Sequence, residues 1–136
     1  MVPYKLSQGF HADRRRALCE RIEASDLDLL LVFNGPSIAY LTGFFHMTTE
    51  RPIGIGFLPD GQVFAITASL EIDQLRAKAP WLEDIDTYFD YPEGNWDLVA
   101  RRLTERGFAG KRIGVDMANL VMSDAIEGYE TLRAGL

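Results

Sequence analysis

The chain has 136 residues, 47% hydrophobic and 25% charged, which is the balance of one folded domain and excludes a disordered tail. Its 14 Lys and Arg against 20 Asp and Glu leave a net charge of −6, which argues against a grip on nucleic-acid phosphates or anionic lipid. The single cysteine, Cys19, excludes an internal disulfide scaffold and points to a reducing compartment.

His11 to Ser25 reads as a helix, with Leu18, Cys19 and Ile22 on its buried face and Arg14-Arg15-Arg16 on its solvated one. Leu27 to Phe33 follows as a central strand covered on both faces. Its apolar stretch falls far short of the roughly 20 residues that cross a bilayer. The N-terminus carries no signal-peptide pattern either, so no membrane partner and a cytoplasmic location are expected. Pro36 suits the first turn of a short helix, Ser37 to Leu41, closed by Thr42-Gly43. Pro52 to Leu58 and Gln62 to Thr67, joined by Pro59-Asp60-Gly61, predict an antiparallel hairpin. Ile72, Leu75 and Ala79 recur at helical spacing until Pro80 stops them. Asp84 to Phe89 reads as a strand, and Asn95 as the cap of a helix buried through Trp96, Val99 and Leu103. Arg102 and Arg106 stand near the end of that helix, and Gly107 terminates it. Arg112 to Asp116 is the last strand, and Ser123-Asp124 opens the last helix. Strands alternating with helices, with one hairpin among them, predict a three-layer α/β domain with a mixed sheet.

The chemistry-bearing residues are few. His11 and His46 stand alone, without His-x-x-x-His or Cys-x-x-Cys spacing, so a metal site made by this chain is not expected. No nucleophile elbow, Walker sequence or dinucleotide fingerprint occurs. Cys19 reads as a small core residue. Asp26, Asp28, Asp90 and Asp116 flank strands, where capping a turn explains them more economically than holding magnesium. Without interleaved aromatics, the arginine cluster gives no nucleic-acid surface. The segment Tyr40 to Pro52 remains open. Its aromatics with His46, Glu50 and Arg51 suit a binding loop whose Arg forks onto a carboxylate. They suit equally a core cluster of Tyr40, Phe44 and Phe45 with a Glu50–Arg51 surface pair.

Five stretches carry a resemblance: the arginine-rich first helix, Ser25-Asp26-Leu27-Asp28-Leu29-Leu30-Leu31-Val32, Ser37-Ile38-Ala39-Tyr40-Leu41-Thr42-Gly43-Phe44, Arg51-Pro52-Ile53-Gly54 and Arg112-Ile113-Gly114-Val115-Asp116. In this order the chain resembles the creatinase/prolidase N-terminal domain, which precedes the pita-bread catalytic domain of Xaa-Pro peptidases, prolidases and creatinases. The resemblance spans residues 1–136. It implies a three-layer α/β/α, ribonuclease H-like fold and places the catalytic residues in a C-terminal domain absent from this chain. There, two Asp, one His and two Glu hold two divalent ions (manganese, cobalt or zinc), while creatinase-like members use a catalytic His without metal. The implied partners are that C-terminal domain, a second copy of the chain, and a peptide or small amide substrate.

The resemblance also suggests site residues. Arg51 falls on a substrate-contacting Arg of creatinase-like members, whereas Thr49 falls on their aromatic, which argues against creatine hydrolysis. Arg51, with His46 nearby, is therefore expected to line the entrance of a partner subunit's active site. The alternatives are the N-terminal domain of a creatinase-like C–N hydrolase, or a stand-alone α/β binding or interaction domain. An exposed apolar face favours a domain built to dock, and a closed polar surface favours the stand-alone module.

Overall fold

A computed structural model describes residues 6–46, 51–89, 94–118, 120 and 122–136 of the chain. Its elements are α1 (Gln8–Ala24), β1 (Leu29–Val32), α2 (Gly35–Thr42), β2 (Gly54–Phe57), β3 (Val63–Ala68), α3 (Ile72–Lys78), β4 (Ile85–Tyr88), α4 (Asn95–Glu105), β5 (Ile113–Asp116) and α5 (Met122–Gly135). The helix starts differ from expectation by one to three residues, α2 beginning at Gly35 and α5 at Met122, and two of the differences have a clear cause. Helix α1 begins before His11 because Ser7 caps it, its Oγ accepting from the Phe10 N–H at 3.1 Å. Helix α4 has Gly94, not Asn95, at its N-cap. Gly94 takes φ 116°, and a Cβ there would meet the Asp97 carboxylate at 2.9 Å, so the first turn folds over a residue that has no side chain.

The five strands form one sheet in the order β4-β3-β2-β1-β5. β2 runs antiparallel to β1 and β3, whereas β3–β4 and β1–β5 are parallel. The expected hairpin is β2–β3, turning at Gly61 (φ 93°). The pairing of β1 with β2 adds a second antiparallel seam.

Alternation along β1 builds both cores. Leu29, Leu31 and Phe33 point to one face, where they join Phe64, Ile66, Trp96, Val99, Leu103 and Leu132 under α4 and α5. Val32 points to the other, with Ile22, Ile38, Phe44, Ile55, Phe57 and Leu75 under α1, α2 and α3. Strand β2 is one-sided. Ile55 and Phe57 fill the second face, while Gly54 and Gly56 leave the first empty for neighbouring rings. A Cβ at Gly54 would lie 2.6 Å from the Phe33 ring, and one at Gly56 2.4 Å from that of Phe64. The result is the three-layer α/β/α architecture expected, with its mixed sheet.

Candidate functional site

Four of the five strands, β1, β3, β4 and β5, finish at the same end of the sheet, the end where α/β sheets place ligands. His46 and Arg51 both stand at this end, on either side of the connection from α2 to β2. Thr49 and Glu50 of that connection, and with them the expected Glu50–Arg51 pair, lie outside the described residues. Both His46 and Arg51 are half-buried. The His46 ring packs 5.6 Å from that of Phe44, and its carbonyl oxygen would meet a Cβ on Gly35 at 2.9 Å. The loop can therefore lie close over the start of α2 because residue 35 is glycine.

Each residue of the Tyr40-Leu41-Thr42-Gly43-Phe44 step has a physical task. The last carbonyls of a helix lack partners within it. The Tyr40 carbonyl accepts from His11 Nδ1–H at 2.8 Å, and the Leu41 carbonyl accepts from the Arg15 guanidinium at 2.8 Å. The Thr42 hydroxyl donates to the Ile38 carbonyl at 2.6 Å and accepts from the Phe44 N–H at 3.1 Å. Gly43 turns the chain with φ 82°, and a Cβ there would crowd His11 Nε2 at 3.1 Å. Phe44 then anchors in the core. Helix α1 thus clamps the end of α2 and fixes where the loop toward His46 departs.

This corrects two expectations. Arg15 is no solvated residue: it stacks 3.6 Å over the Trp81 ring, and burial pulls its pKa below the ordinary value. Arg16 does stand in solvent, beside Asp13. Of the three aromatics, only Phe44 is core, whereas Tyr40 and Phe45 are 48% and 62% exposed.

Around the same end, Asn34 Nδ2–H donates to Ser37 Oγ (2.8 Å), whose hydroxyl donates to Asp116 Oδ2 (3.1 Å). The other Asp116 oxygen accepts from the Ala118 N–H, which is the turn-capping role expected of it. The Tyr88 hydroxyl donates to the Pro52 carbonyl at 2.7 Å and ties the entry of β2, next to Arg51, to the end of β4. Ser69 Oγ donates to the Tyr88 carbonyl, and the exposed side chains of Leu70 and Phe89 follow these strand ends. Sequence reasoning missed the clamp by His11 and Arg15 and the Ser37–Asp116 link, because their partners lie 26 to 79 residues away.

Among the described residues no group of three or more His, Cys, Asp or Glu could hold a metal ion. Burial pushes the Cys19 thiol up and leaves it a core residue. Asp28 accepts from the Arg112 N–H and Asp26 pairs with the Arg112 guanidinium, so both serve the fold. Asp90 lies outside the described residues. No helix in the described residues is long and apolar enough to cross a membrane.

Comparison with known proteins identifies the family and the fold. The family model described as the creatinase/prolidase N-terminal domain matches residues 14–135. YkvY of Bacillus subtilis (strain 168), provisionally named a dipeptidase, is 28% identical over 89 residues, covering 65% of this chain and 24% of YkvY. The chain therefore spans about a quarter of the length of that relative. The solved N-terminal domain of a Xaa-Pro dipeptidase from Lactobacillus brevis superposes with a TM-score of 0.74 at 20% identity, over 90% of this chain and 87% of that one. The N-terminal domain of the cytoplasmic peptidase PepQ from Mycobacterium tuberculosis H37Rv gives 0.65 at 20% identity, over 91% and 85%. At such identities the two structures speak for the fold alone.

Proposed function

The chain belongs to the creatinase/prolidase N-terminal domain family, and on that premise we propose that it is the non-catalytic front domain of a cytoplasmic, metal-dependent Xaa-Pro dipeptidase or aminopeptidase. In this reading it assembles with its own C-terminal catalytic domain and a second copy of the chain, and lends loop residues to the rim of a neighbouring active site. Two divalent ions held by the catalytic domain would activate water for amide hydrolysis. The described residues of this chain do not fit such a pair, so their part is to bind and orient substrate.

The observation that carries the reading is the position of Arg51. It stands at the carboxyl end of the sheet, beside a backbone tied down by the Tyr88 hydroxyl at Pro52. A guanidinium held there suits the carboxylate of a peptide substrate, with His46 lining the same entrance. The apolar side chains Val115, Ile126 and Tyr129, exposed on one face, favour a domain built to dock over a closed stand-alone module.

The test is Arg51→Ala in the complete enzyme. kcat/KM for carboxylate-bearing Xaa-Pro peptides is expected to fall about tenfold or more, the loss of one charge-assisted contact. The melting temperature should hold. Unchanged kinetics would remove Arg51 from the rim.

A further inference from the structure

A hydrogen-bond path crosses the carboxyl end of the sheet and stops beside Arg51. The β2–β3 register sets Gly54 opposite Ile66, and continued by two residues it sets Pro52 opposite Ala68. On the other side of β3, Ala68 lies beside Tyr88. Pro52 has no N–H, so the antiparallel ladder cannot run on through its nitrogen. It is buried, and its carbonyl then needs a donor from elsewhere. Tyr88 supplies one. Its phenol, 5% exposed, reaches past Ala68 and donates to the Pro52 carbonyl at 2.7 Å. The small side chain of Ala68, on the same face of the sheet, leaves the ring that passage.

The main chain of Tyr88 is fixed in turn. Its carbonyl accepts from Ser69 Oγ at 3.0 Å, so the exits of β3 and β4 are tied together before either chain turns away. At the other end of the path, the proline ring restricts the residue before it to extended backbone. That residue is Arg51. A carbonyl pinned one residue away and a neighbouring ring thus set the Arg51 backbone between them. What remains free is rotation within the side chain. Ser69, Tyr88 and Pro52 carry no charge at neutral pH, so the path delivers a single cation to the end of the sheet.

We propose that Tyr88, through its hydroxyl, is the positioning residue for Arg51, and that this tether lets the site choose a peptide with a free carboxylate over the same peptide amidated. The assignment rests on the reading of Arg51 as a carboxylate contact. A guanidinium that has to be placed at each encounter loses conformational freedom on binding, whereas one already placed keeps its fork where the carboxylate arrives. A carboxylate fills both prongs of that fork, and an amide, with a single acceptor oxygen, fills one. Loosening the tether therefore weakens the acid and leaves the amide nearly as it was. Tyr88 is buried and touches no substrate in this scheme.

The test begins with the 136-residue chain, in which Tyr88→Phe keeps the ring and removes only the hydroxyl. The backbone amide order parameter of Arg51 is expected to fall from about 0.85 to below about 0.6, while those of Ile66 and Asp86 hold. An Arg51 amide that stays rigid overturns the proposal. In the complete enzyme, the ratio of kcat/KM for Ala-Pro to that for Ala-Pro-amide should fall about fivefold, through KM for the acid. Equal losses on both substrates mark a merely structural role and overturn the assignment. Arg51→Ala in the same assay separates the two readings. If it abolishes the preference and Tyr88→Phe does not, the rim contact stands and the tether falls. If it leaves the preference intact, the rim reading falls and the tether's part in selectivity falls with it. In the double variant, Tyr88→Phe should add nothing to Arg51→Ala, because it acts only through that side chain. Should Tyr88→Phe fail to fold, Ser69→Ala removes the bond to the Tyr88 carbonyl instead. It should move the same ratio about twofold in the same direction, and an unchanged ratio overturns the proposal.

Discussion

At the amino end of β4, the Arg106 guanidinium forks between Asp84 and Asp86 at 2.7–2.9 Å and lies 4.2 Å over the Phe64 ring. At the amino ends of β1 and β5, the Arg112 guanidinium pairs with the Asp26 carboxylate at 2.7 Å. At the carboxyl end the polar side chains of α1 meet the main chain instead: His11 holds the Tyr40 carbonyl and Arg15 the Leu41 carbonyl. The difference is one of leverage. An exposed pair of charges can part with little movement of the backbone, whereas a clamp on the last carbonyls of a helix dictates where the following loop goes. Stability is served at one end, and the loop carrying His46 is aimed at the other.

Mutations at the two ends should therefore differ in size and in kind. The largest effect belongs to Gly43→Ala, which forces a side chain into φ 82° and against His11. It should cost about 2–3 kcal/mol, a drop of roughly 6–10 °C in Tm, and displace the backbone resonances of residues 44–46. A calorimetric trace matching the parent would show that the clamp is slack. Arg15→Met comes next. It forfeits the carbonyl bond and the Trp81 stack, about 1–1.5 kcal/mol, and should move the same loop resonances. A stability loss without that movement would reduce Arg15 to a packing residue.

Arg106→Met should do least, at most about 1 kcal/mol, because its carboxylate partners are well hydrated and screened. Its signature is pH dependence. Hydrogen bonds from Arg106 hold the Asp84 carboxyl below its ordinary pKa. The stabilisation is then present above the unfolded value of about 3.9 and is lost as pH falls through the lower folded value. Parent and variant should differ in urea midpoint at pH 7 and converge below about pH 4 or in high salt. A deficit that persists in acid would assign the loss to the Phe64 contact instead.

Elements built from local pattern were legible in the sequence: the Pro59-Asp60-Gly61 hairpin, the Pro36 start and Gly43 end of α2, and the apolar run of β1. The starts of α1 and α4 were not, since Ser7 sits before a Gly that masks the helical pattern and Gly94 replaces a capping side chain with empty space. The pairing of β1 with β2 was also hidden, because no turn joins those strands directly. At the candidate site, Arg51 and His46 could be named from a family resemblance, and the structure puts both at one end of the sheet. The clamp that aims their loop could not, because its acceptors are backbone carbonyls and composition says nothing about those. Arg14-Arg15-Arg16 illustrates the point: three identical neighbours stack on a ring, clamp a helix and pair with Asp13 in solvent.

The parallel seam between β1 and β5 has a consequence in time. Asp28 and Arg112, which close its amino end, are 84 residues apart. During synthesis the meander of β1, β2 and β3 leaves the ribosome first, with Leu29, Leu31 and Phe33 uncovered and the outer side of β1 without a neighbour. Only when β5 emerges can that strand be closed, and contacts of such sequence separation form slowly. The nascent chain thus has an interval in which its most apolar strand is its edge, and aggregation should compete with folding there.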